Sequence, residues 1–399
     1  MIVTPAATSG HRSPTGLPLG AFDFQPLTRV VFGVGTLARL GELTRELGGQ
    51  RVLLVTDPGL EAAGHPQRAA ESLRAAGLAV VIFDGVEENP TTKHVEAGLE
   101  VAKANAIDFL VAVGGGSAMD CAKGINFLLT NGGRMQDYWG VGKATKPMLA
   151  SIGVPTTAGT GSEAQSFALI ADPETHMKMA CGDKKAAFRA AILDPVVTTT
   201  QPPHVTADTG IDAIAHALES YVTTRRSPLS QLFAREAWRL LEPNLETVLR
   251  EPNNLEARAA MQLGAHFAGL AIENSMLGAT HALANPLTAH YGLAHGLAIS
   301  LMLPHVIRFN AVAVGPLYGE LAGQAGLANG DPQLGAVKLA ERVEALARAA
   351  GLPARLSACG VNRAILPVLA DEAAQQWTGK FNPRPAGFAE LLRLYEEAY

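Results

Sequence analysis

The chain has 399 residues, of which 48% are hydrophobic and 17% charged. This predicts two domains with large buried cores and argues against a disordered protein. A formal net charge of −5 and the lack of a basic stretch give no reason to expect a nucleic acid partner. Apolar runs such as GLAISLML are too short to span a bilayer, and three widely spaced cysteines indicate a reducing compartment, so we expect a cytoplasmic protein without a membrane partner.

Short β-branched runs alternate with helical runs in the first half of the chain. Residues 1–21 are rich in Ser, Thr, Pro and Gly, which predicts a loose tail without a secretory signal. The runs that follow are RVVF, TLARLGELTRELGG, RVLLVT, HPQRAAESLRAAG, AVVIF, KHVEAGLEVAKANA, FLVAV, GSAMDCAKGINFLLT and MLASIGV. Strands alternating with helices predict a parallel sheet covered on both faces. We therefore expect residues 22–201 to form a Rossmann-like α/β domain that binds a dinucleotide.

Strand-like runs cease at about Pro202, after the Pro- and Thr-rich stretch LDPVVTTTQPPHVTA. The later segments, among them TADTGIDAIAHALESYVT, SQLFAREAWRLLEPNLETVLR and AVKLAERVEALARAAG, have apolar residues at helical spacing. We expect residues 202–399 to form an all-helical domain, with a ligand bound between the two domains.

Two glycine loops are candidates for binding the dinucleotide phosphates. The stretch FGVGTLARLG contains Gly33-x-Gly35-x-x-Ala38 between a strand and a helix, and Asp57 follows about 20 residues later. Taken literally, this is a Rossmann fingerprint. An acidic residue at the end of the second strand can accept hydrogen bonds from a ribose diol and would repel a 2′-phosphate. Asp57 therefore favours NAD over NADP.

The second candidate is the loop of Gly114, Gly115 and Gly116, which follows the apolar strand FLVAV. Three glycines allow the backbone to approach phosphates, and the N-terminus of the following helix favours negative charge. We expect this helix to open at Ser117, whose side chain can cap it, while Asp120 can bind a ribose or a backbone group. The residues alone leave both loops open as phosphate sites.

A third polar element, VPTTAGTGSE, follows the strand MLASIG. It carries four hydroxyl groups among glycines, which suit recognition of the ribose and nicotinamide. The hydroxyl residues are Thr156, Thr157, Thr160 and Ser162.

Candidate metal ligands begin with Asp212 and His216, which lie four residues apart and hence on one helix face. Asp208, one turn earlier, forms a competing pair with Asp212. His281 and His295 are further candidates, but on one straight helix they would lie about 21 Å apart.

The two histidines can share an ion only if the helix ends between them, and Pro286, Gly292 and Gly296 are the predicted breakers. One carboxylate and three imidazoles suit Fe²⁺ or Zn²⁺ better than Mg²⁺ or Ca²⁺. We expect His290 and His305 to lie outside the ligand set, with His290 in a structural role.

These motifs together resemble the iron-containing (group III) alcohol dehydrogenase family, which has the dehydroquinate synthase-like fold. The similarity runs from FDFQPLTRVVFGVG near residue 22 to NPRP at 382–385. It includes VTDPGL, VGGGSAMDCAK, PTTAGTGSE, KMA, AILDP, TGIDAIAHALESY and HALANPLTAHYGLAHG. The resemblance implies a homodimer that interconverts alcohols and aldehydes with NAD(P).

The resemblance also assigns roles to particular residues. It implies a single metal held by Asp212, His216, His281 and His295, which favours Asp212 over Asp208. It places the pyrophosphate at the Gly115–Gly116–Ser117 loop instead of Gly33 and Gly35, and it adds Lys178 and Leu193 as cofactor contacts. The full set of candidate cofactor-binding residues is Asp57, Asn89, Gly114, Gly115, Gly116, Ser117, Asp120, Thr156, Thr157, Thr160, Ser162, Lys178 and Leu193.

One position departs from the family pattern. Many members carry a second histidine one turn after the first metal histidine, where it is proposed to relay protons, and here that position is Asn285. Asparagine does not titrate near neutral pH. We expect His281 and Asn285 to lie at the catalytic centre, but without a direct proton relay through residue 285.

The expected reaction is hydride transfer between NAD(H) and a small primary alcohol or its aldehyde, in a pocket lined by Phe167 and Trp139. One alternative is the reduction of an oxo-acid such as maleylacetate, which needs a cation in the cleft that the sequence does not obviously supply. Another is a dehydroquinate synthase-like lyase, which also uses NAD and a metal. A third is a non-enzymatic metal- or nucleotide-binding protein.

Overall fold

The structure, a computed structural model, describes residues 22–174, 177–328 and 331–399. The predicted tail at 1–21 lies outside the described residues. The strands of the described chain are β1 (Arg29–Phe32), β2 (Arg51–Val55), β3 (Ala79–Phe83), β4 (Phe109–Gly114), β5 (Gly140–Val141), β6 (Ser151–Pro155), β7 (Phe167–Ala171), β8 (Lys178–Gly182) and β9 (Ala190–Leu193).

Six of these strands form one parallel sheet in the order β1-β9-β6-β4-β2-β3. The central strand β4 is buried along its whole length, as its apolar sequence FLVAV predicts. Helices pack on both faces of the sheet; those of this half are α1 (Leu40–Glu46), α2 (His65–Ala75), α3 (Thr92–Ala104) and α4 (Gly116–Asn131). The expected parallel α/β domain is confirmed.

A smaller three-stranded sheet in the order β5-β8-β7 was not predicted. Its strands β7 and β8 form an antiparallel pair, with Phe167 opposite Gly182 and Ala171 opposite Lys178. The aromatic ring of Phe167 covers Gly182 so closely that a Cβ there would lie 2.4 Å from the ring. This sheet carries Phe167 and Lys178 to the edge of the large cleft described below.

The second half of the chain is helical, as predicted. After β9 ends at Leu193, the first long helix begins at Pro203. The helices are α5 (Pro203–Val222), α6 (Pro228–Arg250), α7 (Leu255–Glu273), α8 (Ala279–Tyr291), α9 (His295–Gln324), α10 (Pro332–Ala349), α11 (Leu366–Gln375) and α12 (Phe388–Ala398). Their buried faces form one continuous apolar core.

The break between α8 and α9 lies where the two candidate metal histidines require it. Gly292 ends α8 in a left-handed conformation with φ 62°, which suits a residue without a Cβ. Pro286 is inside α8 and does not end it, so its predicted role as a breaker was wrong. Gly296 instead permits close packing: a Cβ there would lie 2.0 Å from the backbone oxygen of Asp208 on α5. The start of α9 is thereby held directly against α5.

Helix α9 is long and apolar enough to cross a membrane by length and composition. From the sequence, no apolar run was predicted to be long enough to do so. In the structure, however, 67% of its most apolar segment is buried inside the protein. It packs against α5, α8 and α10 as a central helix of the apolar core.

Candidate active site

A cleft of about 840 Å³ lies between the sheet domain and the helical domain. One wall consists of loops that follow β2, β4 and β6, at the carboxyl edge of the sheet. The other wall consists of residues from α5, α8, the start of α9 and the segment after α11. Ligands of parallel α/β sheets bind at this edge.

The Gly114–Gly116 loop opens onto this cleft at the N-terminus of α4. The helix begins at Gly116 with Gly115 as its N-cap, so the expected start at Ser117 and the capping role of Ser117 were wrong. No described side chain caps this end, which leaves the backbone N–H groups of the first turn available to a phosphate. A Cβ on Gly116 would lie 2.8 Å from Thr160 Cγ2, so glycine is needed where the two loops meet.

The rival loop at Gly33 and Gly35 is already occupied by a side chain of the protein itself. The backbone N–H of Gly35 donates to Oδ1 of Asp194 at 3.0 Å, and that of Leu37 donates to Oδ2 at 3.0 Å. A buried carboxylate thus takes the place that a phosphate would need, and neither glycine lines the cleft. The literal fingerprint is a structural turn on the edge strand β1.

The hydroxyl loop after β6 is fixed by a buried lysine that sequence reasoning missed. Lys123 is 2% exposed, and its Nζ donates to the backbone oxygens of Ser162 (2.7 Å) and Phe167 (2.8 Å). Ser162 Oγ donates to Asp120 Oδ1 at 2.6 Å, and the backbone N–H of Leu169 donates to Asp120 Oδ2 at 3.2 Å. Asp120 therefore binds a backbone group, which was one of its two predicted roles.

Most of the candidate cofactor residues line this one cleft. They are Asp57, Asn89, Gly115, Gly116, Ser117, Asp120, Thr156, Thr157, Thr160, Ser162 and Lys178. Gly114 lies just beneath, and a Cβ on it would lie 3.3 Å from Asp57 Oδ2. The side chain of Leu193 is fully buried in β9 and does not line the cleft. Trp139 is 47% exposed and also lies outside the lining, whereas Phe167 belongs to it.

Lys178 supplies the cation that the sequence did not obviously place in the cleft. Burial lowers the pKa of its ammonium, and the charges of Asp120, Asp212 and Glu88 oppose that shift.

Four predicted metal ligands converge from three helices. Nε2 atoms of three histidines surround Oδ1 of Asp212: His216 at 3.3 Å, His281 at 3.4 Å and His295 at 3.8 Å. The potential ligand atoms of Asp212, His216 and His281 all lie within 4.8 Å of one another. Asp208 lines the same cleft but does not belong to this cluster.

The cluster has the dimensions of a metal site. Tetrahedral coordination with bonds of about 2.0–2.1 Å separates neighbouring ligand atoms by about 3.3–3.4 Å. Two of the three separations match this value, and the His295 side chain is 30% exposed on the cleft side. Among the described residues, Asp212 Oδ1 and His281 Nε2 are buried without a hydrogen-bond partner. Such orphaned atoms fit a divalent cation between them.

Glu219 orients His281 from behind, and sequence reasoning missed it. Its Oε2 lies 2.6 Å from His281 Nδ1, and its Oε1 accepts the backbone N–H of Thr280 at 2.7 Å. Burial acts to lower the pKa of His281, but the adjacent carboxylates of Asp212 and Glu219 outweigh this effect and raise the pKa to about 9. The spacing Asp212, His216, Glu219 on α5 was the available signal, because residues four and three apart share a helix face.

The remaining histidines differ in environment. Burial lowers the pKa of His295 to about 3, which leaves its imidazole neutral and able to act as a ligand. His290 lies outside the cleft lining and pairs with Glu372 at 2.9 Å. His305 lies 4.0 Å from Glu397.

Asn285 lines the cleft one turn after His281. Its Nδ2 donates to Oε1 of Gln376 at 3.0 Å. Gln376 comes directly after α11 and had no signal in the sequence, because 91 residues separate the partners.

Comparison with known proteins agrees with this geometry. The family model described as iron-containing alcohol dehydrogenase matches residues 27–195, and the model of the family's C-terminal domain matches residues 206–399. The chain belongs to the iron-containing alcohol dehydrogenase family. The resemblance drawn from the motifs is thereby confirmed.

Individual relatives cover nearly the whole chain. The 1,3-propanediol dehydrogenase of Citrobacter freundii is 35% identical over 384 residues, which are 95% of this chain and 99% of that protein. The NAD-dependent methanol dehydrogenase of Bacillus methanolicus is 34% identical and covers 92% of this chain and 96% of its own. A crystal structure of 1,3-propanediol oxidoreductase is 34% identical, with a TM-score of 0.93 over 95% of this chain and all of its own.

Family membership makes the chain a metal-dependent oxidoreductase that transfers a hydride between NAD(H) and a small alcohol or aldehyde. The family's metal is iron, so the open choice between Fe²⁺ and Zn²⁺ resolves to Fe²⁺.

Proposed function

We propose that the enzyme reversibly oxidises short primary alcohols to aldehydes in the cleft between its two domains. The observation that carries this proposal is the convergence of three imidazole Nε2 atoms on Asp212 Oδ1 in the same cleft as the free N-terminus of α4. Asp212, His216, His281 and His295 would hold the iron. The loop of Gly115, Gly116 and Ser117 would hold the pyrophosphate.

When bound, iron supplies Lewis acidity towards the substrate oxygen and NAD(H) carries the hydride. The protein supplies alignment. Glu219 holds the His281 ring at one angle, Lys123 fixes the hydroxyl loop beside the glycine loop, and Asp57 faces the cleft beneath Gly114. In this scheme Asp57 accepts hydrogen bonds from the hydroxyl groups of the adenosine ribose. Asn89, Lys178 and the threonines of the hydroxyl loop contact the rest of the cofactor.

The alcohol proton has no titrating carrier at residue 285. The Asn285 amide can donate and accept hydrogen bonds but stays neutral across the working pH range. We propose that the proton leaves through the ribose hydroxyls of the cofactor or through bound water.

The test is a coupled measurement of turnover and metal. Anaerobically iron-loaded protein is incubated with NAD and a series of primary alcohols of one to six carbons, NADH is followed by absorbance, and the same sample is analysed for iron. We expect NADH to accumulate in proportion to bound iron. A dehydroquinate synthase-like lyase would turn over without accumulating NADH, and a binding protein would take up NAD without turnover on any alcohol.

We further propose a homodimer in the cytoplasm, with no nucleic acid or membrane partner. Two observations support it: β1 is an edge strand that exposes Val30 (39%) and Phe32 (43%), and all three cysteines are free. Light scattering of the purified protein tests the dimer. Replacing Phe32 with Lys should shift the mass towards the monomer if this edge forms the interface.

A further inference from the structure

Asn285 and Gln376 form an amide pair on the helical wall of the cleft. The hydrogen bond from Asn285 Nδ2 to Gln376 Oε1, at 3.0 Å, joins the middle of α8 to the segment that follows α11. Both side chains line the cleft. The hydrogen bond restricts the orientation of both amides within the cleft.

The pair leaves an acceptor on Asn285 and donors on Gln376 without a partner. An amide carries an oxygen acceptor and two N–H donors, so Asn285 Oδ1 and Gln376 Nε2 retain capacity after they bind each other. Within the described parts of the chain, neither atom forms another hydrogen bond. A hydroxyl group can donate to Asn285 Oδ1 and accept from Gln376 Nε2, whereas a methyl group can do neither. A carboxylate can only accept, and it would face the oxygen of Asn285.

The pair also lies at a suitable place for the far end of a substrate. Asn285 follows His281 by four residues, which corresponds to about 6 Å along the helix axis from the metal ligand. Trp377 is adjacent to Gln376, and its ring stacks on Phe167 with the ring centres 6.0 Å apart. A short carbon chain can therefore lie against this aromatic wall and present its second end to the amides.

We infer that the Asn285–Gln376 pair determines substrate specificity by binding a second hydroxyl group, so that short diols and hydroxyaldehydes are preferred over simple alkanols of equal length. This inference rests on the proposed function, because it presumes that the first oxygen of the substrate is at the metal. Specificity then comes from half-buried polar groups in the cleft that only the hydroxyl analogue can satisfy.

The decisive comparison uses two isosteric substrates, 1,3-propanediol and 1-butanol, in which a methyl group replaces one hydroxyl. We expect kcat/KM to be about 10- to 100-fold higher for the diol, since each neutral hydrogen bond contributes about a fewfold to tenfold. The difference should lie mainly in KM, because the second hydroxyl is bound equally in the ground and transition states. 4-Hydroxybutanoate, with a carboxylate at the same end, serves as the anionic analogue.

Two variants each remove one amide of the pair: Asn285→Leu and Gln376→Met. In both, the ratio of kcat/KM for the diol to kcat/KM for 1-butanol should fall to about one, and far-UV circular dichroism checks that the variants fold. Gln375→Met is the matched control, because Gln375 binds Asp371 at 3.1 Å and lies outside the cleft lining. The dissociation constant of 1,3-propanediol from the NADH-bound enzyme, measured by saturation-transfer NMR without turnover, should rise in the two variants only.

Four results would overturn the inference. An unchanged diol preference in both variants would show that the pair does not contact the substrate. A higher KM for NAD with both alcohols would assign the pair to the carboxamide of the nicotinamide. A parent preference for 4-hydroxybutanoate would assign recognition to Lys178. Failure to form NADH from any alcohol would refute the proposed function and this inference with it, and is distinct from turnover without a diol preference.

Discussion

Nδ1 of His281 lies 2.6 Å from Oε2 of Glu219, and both side chains are buried. The same carboxylate accepts the N–H of Thr280 in the first turn of α8. A negative charge at a helix N-terminus is favourable, so Glu219 both anchors α8 and aims the ring of its ligand. It acts as a positioning residue for the metal centre.

We expect Glu219→Ala to weaken metal affinity by about 10- to 100-fold, and Glu219→Gln to weaken it less because an amide oxygen can still accept from Nδ1. The measurement is competition with a chromophoric chelator. Glu372→Gln is the control. Glu372 pairs with His290, which lies on the same helix as His281 but outside the cleft. Equal affinities in all three variants would show that the ring of His281 is held by packing alone.

The ligand assignment predicts loss of metal on removal of single histidines. His281→Ala and His295→Ala should each lose most bound iron and most activity, because each removes one of four ligands. Far-UV circular dichroism should change little, since the helices pack through their apolar faces. His290→Ala is the matched control and should retain the metal. Full iron occupancy in both ligand variants would refute the assignment.

Metal binding should release about one proton per site. In the metal-free protein, the adjacent carboxylates of Asp212 and Glu219 overcome the effect of burial and raise the pKa of His281 to about 9, so its imidazole is charged at pH 7. Burial lowers the pKa of His216 and of His295, so both are neutral at that pH. The metal must therefore displace the proton on His281 Nε2.

The sign of the pH dependence follows from this proton. Affinity should rise about tenfold per pH unit as pH rises towards 9, and it should level off above that value, where His281 is already neutral. Calorimetry of Zn²⁺ binding at pH 7.5, in two buffers with different heats of ionisation, measures the number of protons released. A value near zero would mean that His281 is neutral before the metal arrives.

The position of Asp57 predicts a preference for NADH over NADPH. Its carboxylate follows β2 and faces the cleft next to Gly114, where it would repel a 2′-phosphate. NADH should be preferred over NADPH, and Asp57→Gly should narrow the difference in kcat/KM. Glu61→Gly, which removes an exposed acidic residue outside the cleft lining, should leave the preference intact. A parent enzyme that prefers NADPH would show that Asp57 does not face the ribose.

Local patterns of the sequence were enough to predict five of the six strands of the main sheet, all except β9, and the helical domain. Strands such as FLVAV and the helical periodicity of α5 depend on nearest neighbours along the chain. The convergence of His281 and His295 could be predicted because the break at Gly292 could be read from a short stretch. The small sheet of β5, β7 and β8 was not predicted; of its strands, β5 has only two residues, which carry no periodic signal.

Features that depend on distant partners could not be predicted from local patterns. The loop of Gly33 and Gly35 cannot bind a phosphate because the carboxylate of Asp194, which is 159 residues from Gly35, already accepts its N–H group. The role of Glu219 required α8 to pack against α5, and the pair of Asn285 with Gln376 required α11 to end beside α8. Each of these contacts is a hydrogen bond whose geometry exists only after the helices have docked.

Residue 285 offers a direct test of the proton path. Asparagine at this position cannot titrate, so the parent pH profile of kcat/KM for alcohol oxidation should contain no ionisation from residue 285. In Asn285→His, an imidazole one turn from His281 should introduce a new ionisation. It should lie below the reference value of about 6.5, because the charge of the nearby metal disfavours the imidazolium.

The experiment compares kcat/KM against pH for the parent and Asn285→His, with 1-butanol as a substrate that does not titrate. Bound iron should be equal in the two proteins, because residue 285 is not a ligand. Asn285→Gln serves as the control, since it changes the size of the side chain without adding a titrating group. Superimposable profiles for the parent and the histidine variant would show that residue 285 is remote from the proton path. Loss of iron in the histidine variant alone would instead show that residue 285 reaches the metal, which its hydrogen bond to Gln376 argues against.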